Sequence, residues 1–315
     1  MTYRLAMLID APATLHPATD SSLSILLEAQ KRGYDCFIFS QRDIYLKDGH
    51  VFAIAQQGHV DLEQAPYFSV TSSQRMDLTQ MDVIFIRLDP PFNREYLYMT
   101  YLLDLVVAQG TLVLNHPTSI RRYNEKIFAS HFPAFTPPTL ISANLTLLTE
   151  FIDEHQRVVI KPIDAMGGRG IVIIQHDDLD KNSLLDILTE NQQKTVLAQR
   201  FLAEVKQGDK RILLINGEPV TQALLRTPAP SEFRANLAAG GQGTAVALTA
   251  QDLAICAALK PHLQAAHLFF VGIDVIGDYL TEINVTCPTG AVVLERLTDL
   301  KIFSTLFDAL EKLMR

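Results

Sequence analysis

At 315 residues, 48% of them apolar, the chain can bury a large core and, at roughly 100–200 residues per domain, fill two or three domains. Its net charge of −8, with no basic run and no basic–aromatic patch, argues against a nucleic-acid or anionic-membrane surface. Cys36, Cys256 and Cys287 are odd in number and scattered, which suits a reducing cytoplasm rather than a disulfide framework, and the histidines show no zinc-ligand spacing.

The first apolar run is short and broken by Asp10, so Tyr3 to Asp10 reads as a strand and not as a signal peptide. Asp20-Ser21-Ser22 can cap a helix over Leu23 to Arg32, stopped by Gly33. Tyr34 to Ser40 follows as a strand, and Asp43 to Gln57 as a hairpin around Lys47-Asp48-Gly49. Asp82 to Arg87 is the next strand, Glu95 to Gln109 a helix, and Thr111 to Asn115 a strand; Asp104 and Gly110 rule out a membrane span between Tyr96 and Leu114. This alternation predicts an α/β unit with a parallel, Rossmann-like sheet, but no G-x-G-x-x-G follows its first strand, so a dinucleotide is a weak expectation. Ligands of such sheets lie beyond the carboxyl ends of the strands, where Asp10, Arg87 and Asn115 fall. Arg87 before Asp89-Pro90-Pro91 reads equally as a carboxylate clamp or as an arginine held by Asp89.

Ser119 to Phe132 reads as a helix carrying Asn124-Glu125-Lys126, and Pro133, Pro137 and Pro138 as a linker. After a short helix from Leu147 to His155, the strand Arg157 to Pro162 ends in Lys161 and enters the glycine-rich stretch from Ile163 to Gly170 before the strand Ile171 to Gln175. That loop opens no helix and lacks G-K-[ST], so it is not a Walker loop. Its glycines still allow backbone N–H groups to close on phosphate, and Lys161 would need an anion; the alternative is an ordinary glycine-rich hairpin. Leu184 to Glu190 is a helix, and the strand Thr195 to Phe201 could offer backbone groups to an adenine. Asp209 to Ile215 and Pro219 to Leu225 flank Asn216-Gly217, a type I′ signal, with Arg211 and Arg226 at the strand ends. Thr227 to Gly243 has no periodicity, and with Arg234 and its glycines it reads as a lid, or as a merely floppy loop. A helix from Thr249 to His267 precedes the last hairpin, and Leu294 to Leu313 closes the chain as one amphipathic helix or a pair.

Within Phe269 to Gly290, acids stand where an apolar strand wants none. Asp274, Glu282 and Asn284 make an all-oxygen set suited to Mg²⁺ and phosphate, provided the strands pair in the right register. A two-residue turn at Gly277-Asp278 would place Asp274 opposite Thr281, while a three-residue loop, Gly277 to Tyr279, would place it opposite Glu282; the metal reading needs the second, and a half-exposed wet hairpin is the alternative.

Seven ordered segments together resemble the bacterial glutathione synthetases of the ATP-grasp superfamily. They are Asp20-Ser-Ser with LLEAQKRGY, Arg87-Leu-Asp-Pro-Pro-Phe, Asn124-Glu-Lys-Ile-Phe, Lys161-Pro with Asp164-Ala-Met-Gly-Gly, Gly208-Asp-Lys-Arg-Ile-Leu, Arg234-Ala-Asn-Leu-Ala-Ala-Gly-Gly and Thr281-Glu-Ile-Asn-Val-Thr. The resemblance implies an ATP-grasp fold, α+β in its ATP-binding part, behind the parallel-sheet unit. The domains would be 1–122, 123–200 and 201–315, with a lid over 227–243. It implies ATP binding by Lys126, Lys161, Met166, Gly167, Gly168, Gln199, Arg200, Phe201, Leu202 and Asp209, and places Arg211 and Arg234 in catalysis. Asp20, Ser21, Arg87, Arg226, Asn236, Thr286, Pro288 and Thr289 would meet the dipeptide, and Asp274, Glu282 and Asn284 would hold Mg²⁺, two ions with ATP, with Mn²⁺ as a substitute. The implied partners are ATP, γ-glutamylcysteine and glycine in a cytoplasmic homodimer or homotetramer, with no nucleic acid and no membrane. Another carboxylate–amine ligase of the superfamily, D-alanine–D-alanine-like or amino-acid-adding, is the nearest rival; an ATP-binding regulator without turnover is the rival from another class. The departures are Thr19 and Leu88 where basic residues are expected, Cys287 for serine, and Ala291-Val-Val-Leu-Glu-Arg296 in place of Ile-Arg-Glu; they bear on substrate choice more than on ATP use.

Overall fold

The computed structural model describes residues 2–10, 15–165, 167–228 and 242–315. The first sheet is built from β1 (Arg4–Ile9), β2 (Asp35–Phe39), β3 (Ile44–Lys47), β4 (His50–Val60), β5 (Phe68–Asp77), β6 (Val83–Arg87) and β7 (Leu112–Leu114). Helices α1 (Ser21–Lys31), α2 (Arg94–Ala108) and α3 (Pro117–Arg122) accompany it. Strands β2, β1, β6 and β7 run parallel, and β3, β4 and β5 extend the sheet antiparallel. Both faces of β1 are covered: Leu5, Met7 and Ile9 point to one core, Ala6 and Leu8 to another. This is why its sequence is a continuous apolar run rather than an alternating one. Asp20 caps α1 as expected, its Oδ1 accepting from the Ser22 N–H at 2.5 Å.

A second, four-stranded antiparallel sheet is formed by β8 (Thr139–Ser142), β9 (Arg157–Pro162), β10 (Val172–Gln175) and β11 (Val196–Arg200), backed by α4 (Leu145–His155) and α5 (Lys181–Leu188). The third sheet holds β12 (Asp209–Ile215), β13 (Glu218–Pro219), β14 (Gln222–Thr227), β15 (Gln242–Ala247), β16 (Phe270–Ile276) and β17 (Tyr279–Asn284). Helix α6 (Ala250–Ala265) covers one face of it. The last helices, α7 (Ala291–Leu297) and α8 (Ile302–Leu313), cover the other, so the chain closes with a helix pair.

The cores of the first and third sheets are not separate. Phe303, Leu306, Phe307 and Leu310 of α8 pack in one cluster with Leu23 and Leu26 of α1 and with Leu213 and Ile215 of β12. Arg32, just past α1, clamps this contact by pairing with Glu28 at 2.9 Å, Asp308 at 2.8 Å and Glu311 at 3.1 Å. Asn115, at the end of β7, joins the sheets from the other side. Its Nδ2 donates to Phe270 O (2.8 Å) and Val285 O (2.7 Å), and its Oδ1 accepts from the N–H of Phe269 (2.7 Å) and Phe270 (2.9 Å). The strand-end asparagine expected at a ligand site is therefore a buried strut with its side chain committed.

Two local expectations need correction. No helix runs from Ser119 to Phe132: α3 stops at Arg122, and a short 3₁₀ turn covers Phe128–His131. Between them the Asn124 side chain accepts from the N–H groups of Lys126 and Ile127, both at 3.1 Å, turning the chain so that Lys126 stands off a loop. The last hairpin does have the two-residue turn at Gly277-Asp278, with Ile276 opposite Tyr279, yet Asp274 still faces Glu282. A β-bulge after Asp274 absorbs the extra residue and restores the register that the metal reading needs.

Candidate active site

The third sheet carries a row of charge across four strands. On β12, Asp209 and Arg211 are two residues apart and share a face; Asp209 lies opposite Arg226 of β14, Arg211 opposite Asp274 of β16, and Asp274 opposite Glu282 of β17. The other face of these strands is mostly apolar, with Ile212, Ile273 and Ile283 in the α6 core and Lys210 paired there with the buried Asp252 of α6 at 2.5 Å. The row is deeply set, with Arg211 6%, Arg226 5% and Asp274 3% exposed. Arg211 holds Asp274 with both arms, Nε to Oδ1 at 2.6 Å and Nη2 to Oδ2 at 3.1 Å. Arg226 bridges Asp209 (2.6 Å) and Asp274 (2.9 Å). Burial works to raise the Asp274 carboxyl, but the two guanidiniums outweigh it and hold the group well below the usual carboxylate range. Asp209 is pushed up to about 6, by burial first and then by Asp274, with Arg226 opposing. Asn284 completes the cluster, its Nδ2 within 3.4 Å of Asp274 Oδ2.

Gly272 makes this arrangement possible. It sits on the same strand face as Asp274, and a Cβ there would lie 3.0 Å from Arg211 Cδ and 3.1 Å from Pro288 Cβ. We expect Gly272→Ala to push Arg211 by a few tenths of an ångström and to lower kcat about 10-fold, with the nucleotide KM moving far less. Steady-state kinetics with both parameters measured checks this; an unchanged kcat would mean that Arg211 tolerates the displacement.

Facing the row across a cleft is the second sheet. Lys126, Lys161, Gly167, Gly168 and Asp209 line this cleft together with Asp274 and Glu282, and Gln199, Arg200, Phe201 and Leu202 line its far wall. Gly167 (φ +64°), Gly168 (φ +77°) and Gly170 (φ +69°) hold the loop in left-handed backbone that other residues adopt only with strain. Lys126 Nζ ties the loop to the row, donating to Ala165 O at 2.5 Å and pairing with Glu282 Oε1 at 3.1 Å. Lys161, expected to need an anion, makes no ion pair among the described residues. Its Nζ donates to Gln199 Oε1 at 3.0 Å, and burial, with Lys126 adding to it, lowers the ammonium below its usual range. Gln199 is fixed in turn by Thr139 Oγ1 at 3.0 Å.

A second cavity continues from the row toward the first sheet and is lined by Asp20, Arg211, Arg226, Asn284, Thr286 and Thr289. Arg87 is not held by Asp89. Its Nε donates to Ser22 Oγ (3.3 Å) and its Nη2 to Pro288 O (3.1 Å), and it lines a third cavity with Asp20. Ser21 is fully buried at the start of α1, and its Oγ has no partner among the described residues. Met166, Arg234, Asn236 and most of the expected lid lie outside the described residues. Glu125 carries a role that the sequence reading did not give it: Oε1 accepts from the N–H groups of Val285 (2.8 Å) and Thr286 (2.9 Å) and from Thr286 Oγ1 (2.8 Å), fixing the exit of β17. Its carboxyl is raised by burial and then by Glu282, against these donors. Only its place beside Lys126 in Asn124-Glu-Lys could have marked it.

Two family models span nearly the whole chain: the N-terminal domain of prokaryotic glutathione synthetase over residues 3–121 and its ATP-grasp domain over residues 125–299. The chain belongs to the prokaryotic glutathione synthetase family. It is 43% identical over 310 residues to a glutathione synthetase of Pseudomonas aeruginosa, covering 98% of each chain, and 40% identical over 319 residues to one of Synechocystis, covering 98% of this chain and 99% of that one. Among solved structures it is similar to the D-cycloserine synthetase DcsG (TM-score 0.68, 14% identity, 99% of this chain and 100% of that one). It is also similar to D-alanyl-alanine synthetase A from Vibrio cholerae (TM-score 0.62, 12% identity, 99% and 98%). At those identities the likeness shows the ATP-grasp fold alone. Where this member departs from the expected family pattern, the residues fall together: Thr19, Cys287 and Val293 line the second cavity, Leu88 and Cys287 the third, and none of them lines the cleft that holds the lysines. Arg296 turns outward to Ala18 O at 2.6 Å.

Proposed function

We propose that the protein is an ATP-dependent carboxylate–amine ligase that joins γ-glutamylcysteine to glycine, giving glutathione, ADP and phosphate. The observation that carries the reading is the continuous path from the glycine loop, past Lys126, Lys161 and Arg211, to the carboxyl ends of the first sheet. The nucleotide would lie between the second and third sheets, its adenine against the Gln199–Leu202 segment and its phosphates under the loop amides and the two lysines. The cysteinyl carboxylate would attack the γ-phosphoryl group beside Arg211, and the glycine amine would then displace phosphate from the acyl-phosphate. Phosphoryl transfer asks the protein for alignment and charge, not for a nucleophile. No serine, cysteine or histidine is needed. Cys287 is unsuited to that role in any case, because burial raises its thiol well above the usual range.

The residues fit a hard dication. Among the described residues no three acid, His or Cys side chains gather as a metal cage, so the protein oxygens would be two carboxylates and an amide, Asp274, Glu282 and Asn284, with phosphate oxygens supplying the rest. The charge count points the same way. Asp209, Asp274 and Glu282 stand against Lys126, Lys161, Arg169, Arg200, Arg211 and Arg226, but Lys126, Arg211 and Arg226 are already paired with these acids, so a bare triphosphate would bring more negative charge than the cleft's remaining cations balance. When bound, Mg²⁺ would supply that balance and polarise the phosphoryl oxygens. Mn²⁺ should substitute. A cytoplasmic homodimer or homotetramer belongs to the same proposal.

The test is ADP release with ATP, Mg²⁺ and γ-glutamylcysteine, with and without glycine, beside a D-alanine control. Glycine-dependent release with glutathione formed in equal amount is the expected result; release that depends on D-alanine instead would move the reading to the rival ligase.

A further inference from the structure

We infer that Glu125 is a positioning residue for the dication: it holds the chain on both sides of Asn284 and so keeps the Asn284 amide oxygen in place beside Asp274 and Glu282. The inference rests on the ligase reading above, in which those three residues meet Mg²⁺, and names the residue that sets one of them. β17 is the last strand in the order of the third sheet, so the N–H groups along its outer edge need partners from elsewhere in the chain. Around Asn284, Glu125 supplies them. Its main-chain O accepts from the Ile283 N–H at 2.9 Å, and its Oε1 accepts from the Val285 N–H at 2.8 Å. The residues immediately before and after Asn284 therefore hang on the same glutamate. The Thr286 N–H (2.9 Å) and the Thr286 hydroxyl (2.8 Å) donate to Oε1 as well.

This clamp falls where the sheet stops helping. Asn284 is the last residue of β17, and its pairing with Gly272 is the last rung of the ladder to β16. Beyond it the strand has no neighbour to fix the chain, and the glutamate takes over. On the inner side the Asn284 Nδ2 donates to Gly272 O at 3.2 Å and lies 3.4 Å from Asp274 Oδ2. With the nitrogen committed there, Oδ1 is the atom left for a cation. A small slide of the strand end would turn both atoms away together. Glu125 is itself held by the Asn124 turn, and the next residue, Lys126, pairs with Glu282 at 3.1 Å. One short turn thus addresses two of the three oxygen ligands, Asn284 through its backbone neighbours and Glu282 directly. Outer contacts of this kind orient the ligands of a metal, and losing one typically costs about 10–100-fold in metal affinity.

Two variants separate reach from charge. Glu125→Asp keeps the charge but withdraws the carboxylate by one carbon–carbon bond, about 1.5 Å, out of range of the β17 exit. Glu125→Gln gives up the charge but keeps the reach, and because all three side-chain bonds fall on Oε1, its amide oxygen can take them over. The readout is the affinity of the protein–ADP complex for Mn²⁺, followed by loss of the free-ion EPR signal, beside ADP binding in EDTA by calorimetry. Glu125→Asp should weaken Mn²⁺ about 10–100-fold. Glu125→Gln should stay within about 3-fold of the parent, since its bonds are only weakened by the lost charge. ADP binding in EDTA should be unchanged in both. If Glu125→Asp holds Mn²⁺ as well as Glu125→Gln or better, the residue acts through its charge or not at all, and the positioning role is wrong. If either variant loses ADP binding in EDTA in step with Mn²⁺, the damage is general and the role is likewise wrong. If the ADP complex of the parent binds no Mn²⁺, it is the metal part of the ligase reading that fails.

Discussion

Glu282→Gln is expected to lower glycine-dependent ADP release at least about 1000-fold while leaving the fold intact. The side chain keeps its length and can still accept from Lys126, which now lies 3.1 Å from Oε1. What is lost is one of the two carboxylate charges that face the cleft from the last hairpin, opposite Asp274. Structural cost should be small, because Glu282 is partly exposed and the buried Lys126 keeps its bond to Ala165 O. Thermal unfolding should therefore stay within a few degrees of the parent, and the lost activity cannot be blamed on unfolding. The informative measurement is turnover against total Mg²⁺. If Glu282 holds the ion, the variant should need far more Mg²⁺, and chelation with EDTA should silence both proteins. Turnover like that of the parent at ordinary Mg²⁺ would remove Glu282 from the ligand set.

The charged row explains which parts of this site could be read from the chain and which could not. Acids inside Val-Gly-Ile-Asp-Val-Ile and Thr-Glu-Ile-Asn stand out because apolar strands do not carry them without reason, so Asp274, Glu282 and Asn284 were visible. Their register was not. The two-residue turn predicted the wrong pairing, and a bulge, which has no residue signature of its own here, reversed it. Lys126 was visible as a residue but misplaced on a helix, because the run from Ser119 to Phe132 has helical composition while the Asn124 side chain competes for the backbone. The parallel core of the first sheet was legible from its alternation of strands and helices. The antiparallel extension β5 was missed because Phe68–Asp77 is mostly exposed and polar, so burial left no pattern on it. Strands β8 and β15 are short or half-exposed and next to proline- or glycine-rich sequence, and they pair only because a distant strand offers an edge. The packing of α8 on α1 rests on Arg32 reaching residues nearly 280 positions away, a contact that no local rule predicts.

Asn115→Ala should be the most damaging single change for stability. The asparagine makes four buried hydrogen bonds, two to carbonyls on different strands of the last hairpin and two from the N–H groups that start β16. Truncation leaves Phe269, Phe270 and Val285 backbone groups without partners in a site that is 4% exposed at Asn115 itself. At about 1–3 kcal/mol per unsatisfied group, with water recovering part, the loss should reach about 4 kcal/mol, or roughly 6 °C in the midpoint of thermal unfolding for a chain of this size. Asn115→Asp separates the donor half of the network from the acceptor half. It keeps the oxygen that receives the two N–H groups but turns a carboxylate toward Phe270 O and Val285 O. Burial against carbonyls will raise that carboxyl above its unfolded value near about 3.9, so the folded state favours the protonated form. Stability of this variant should accordingly fall as pH rises from the unfolded value through the folded one, and the gap to the parent should be smaller at pH ~5 than at pH ~8. Denaturant melts at the two pH values check the sign; a gap independent of pH would mean that the site admits water. Activity should fall along with stability in both variants. Asn115 anchors the hairpin at Phe270 and Val285, only four and three residues from Asp274 and Glu282, and the register of those two acids depends on the strands that it holds.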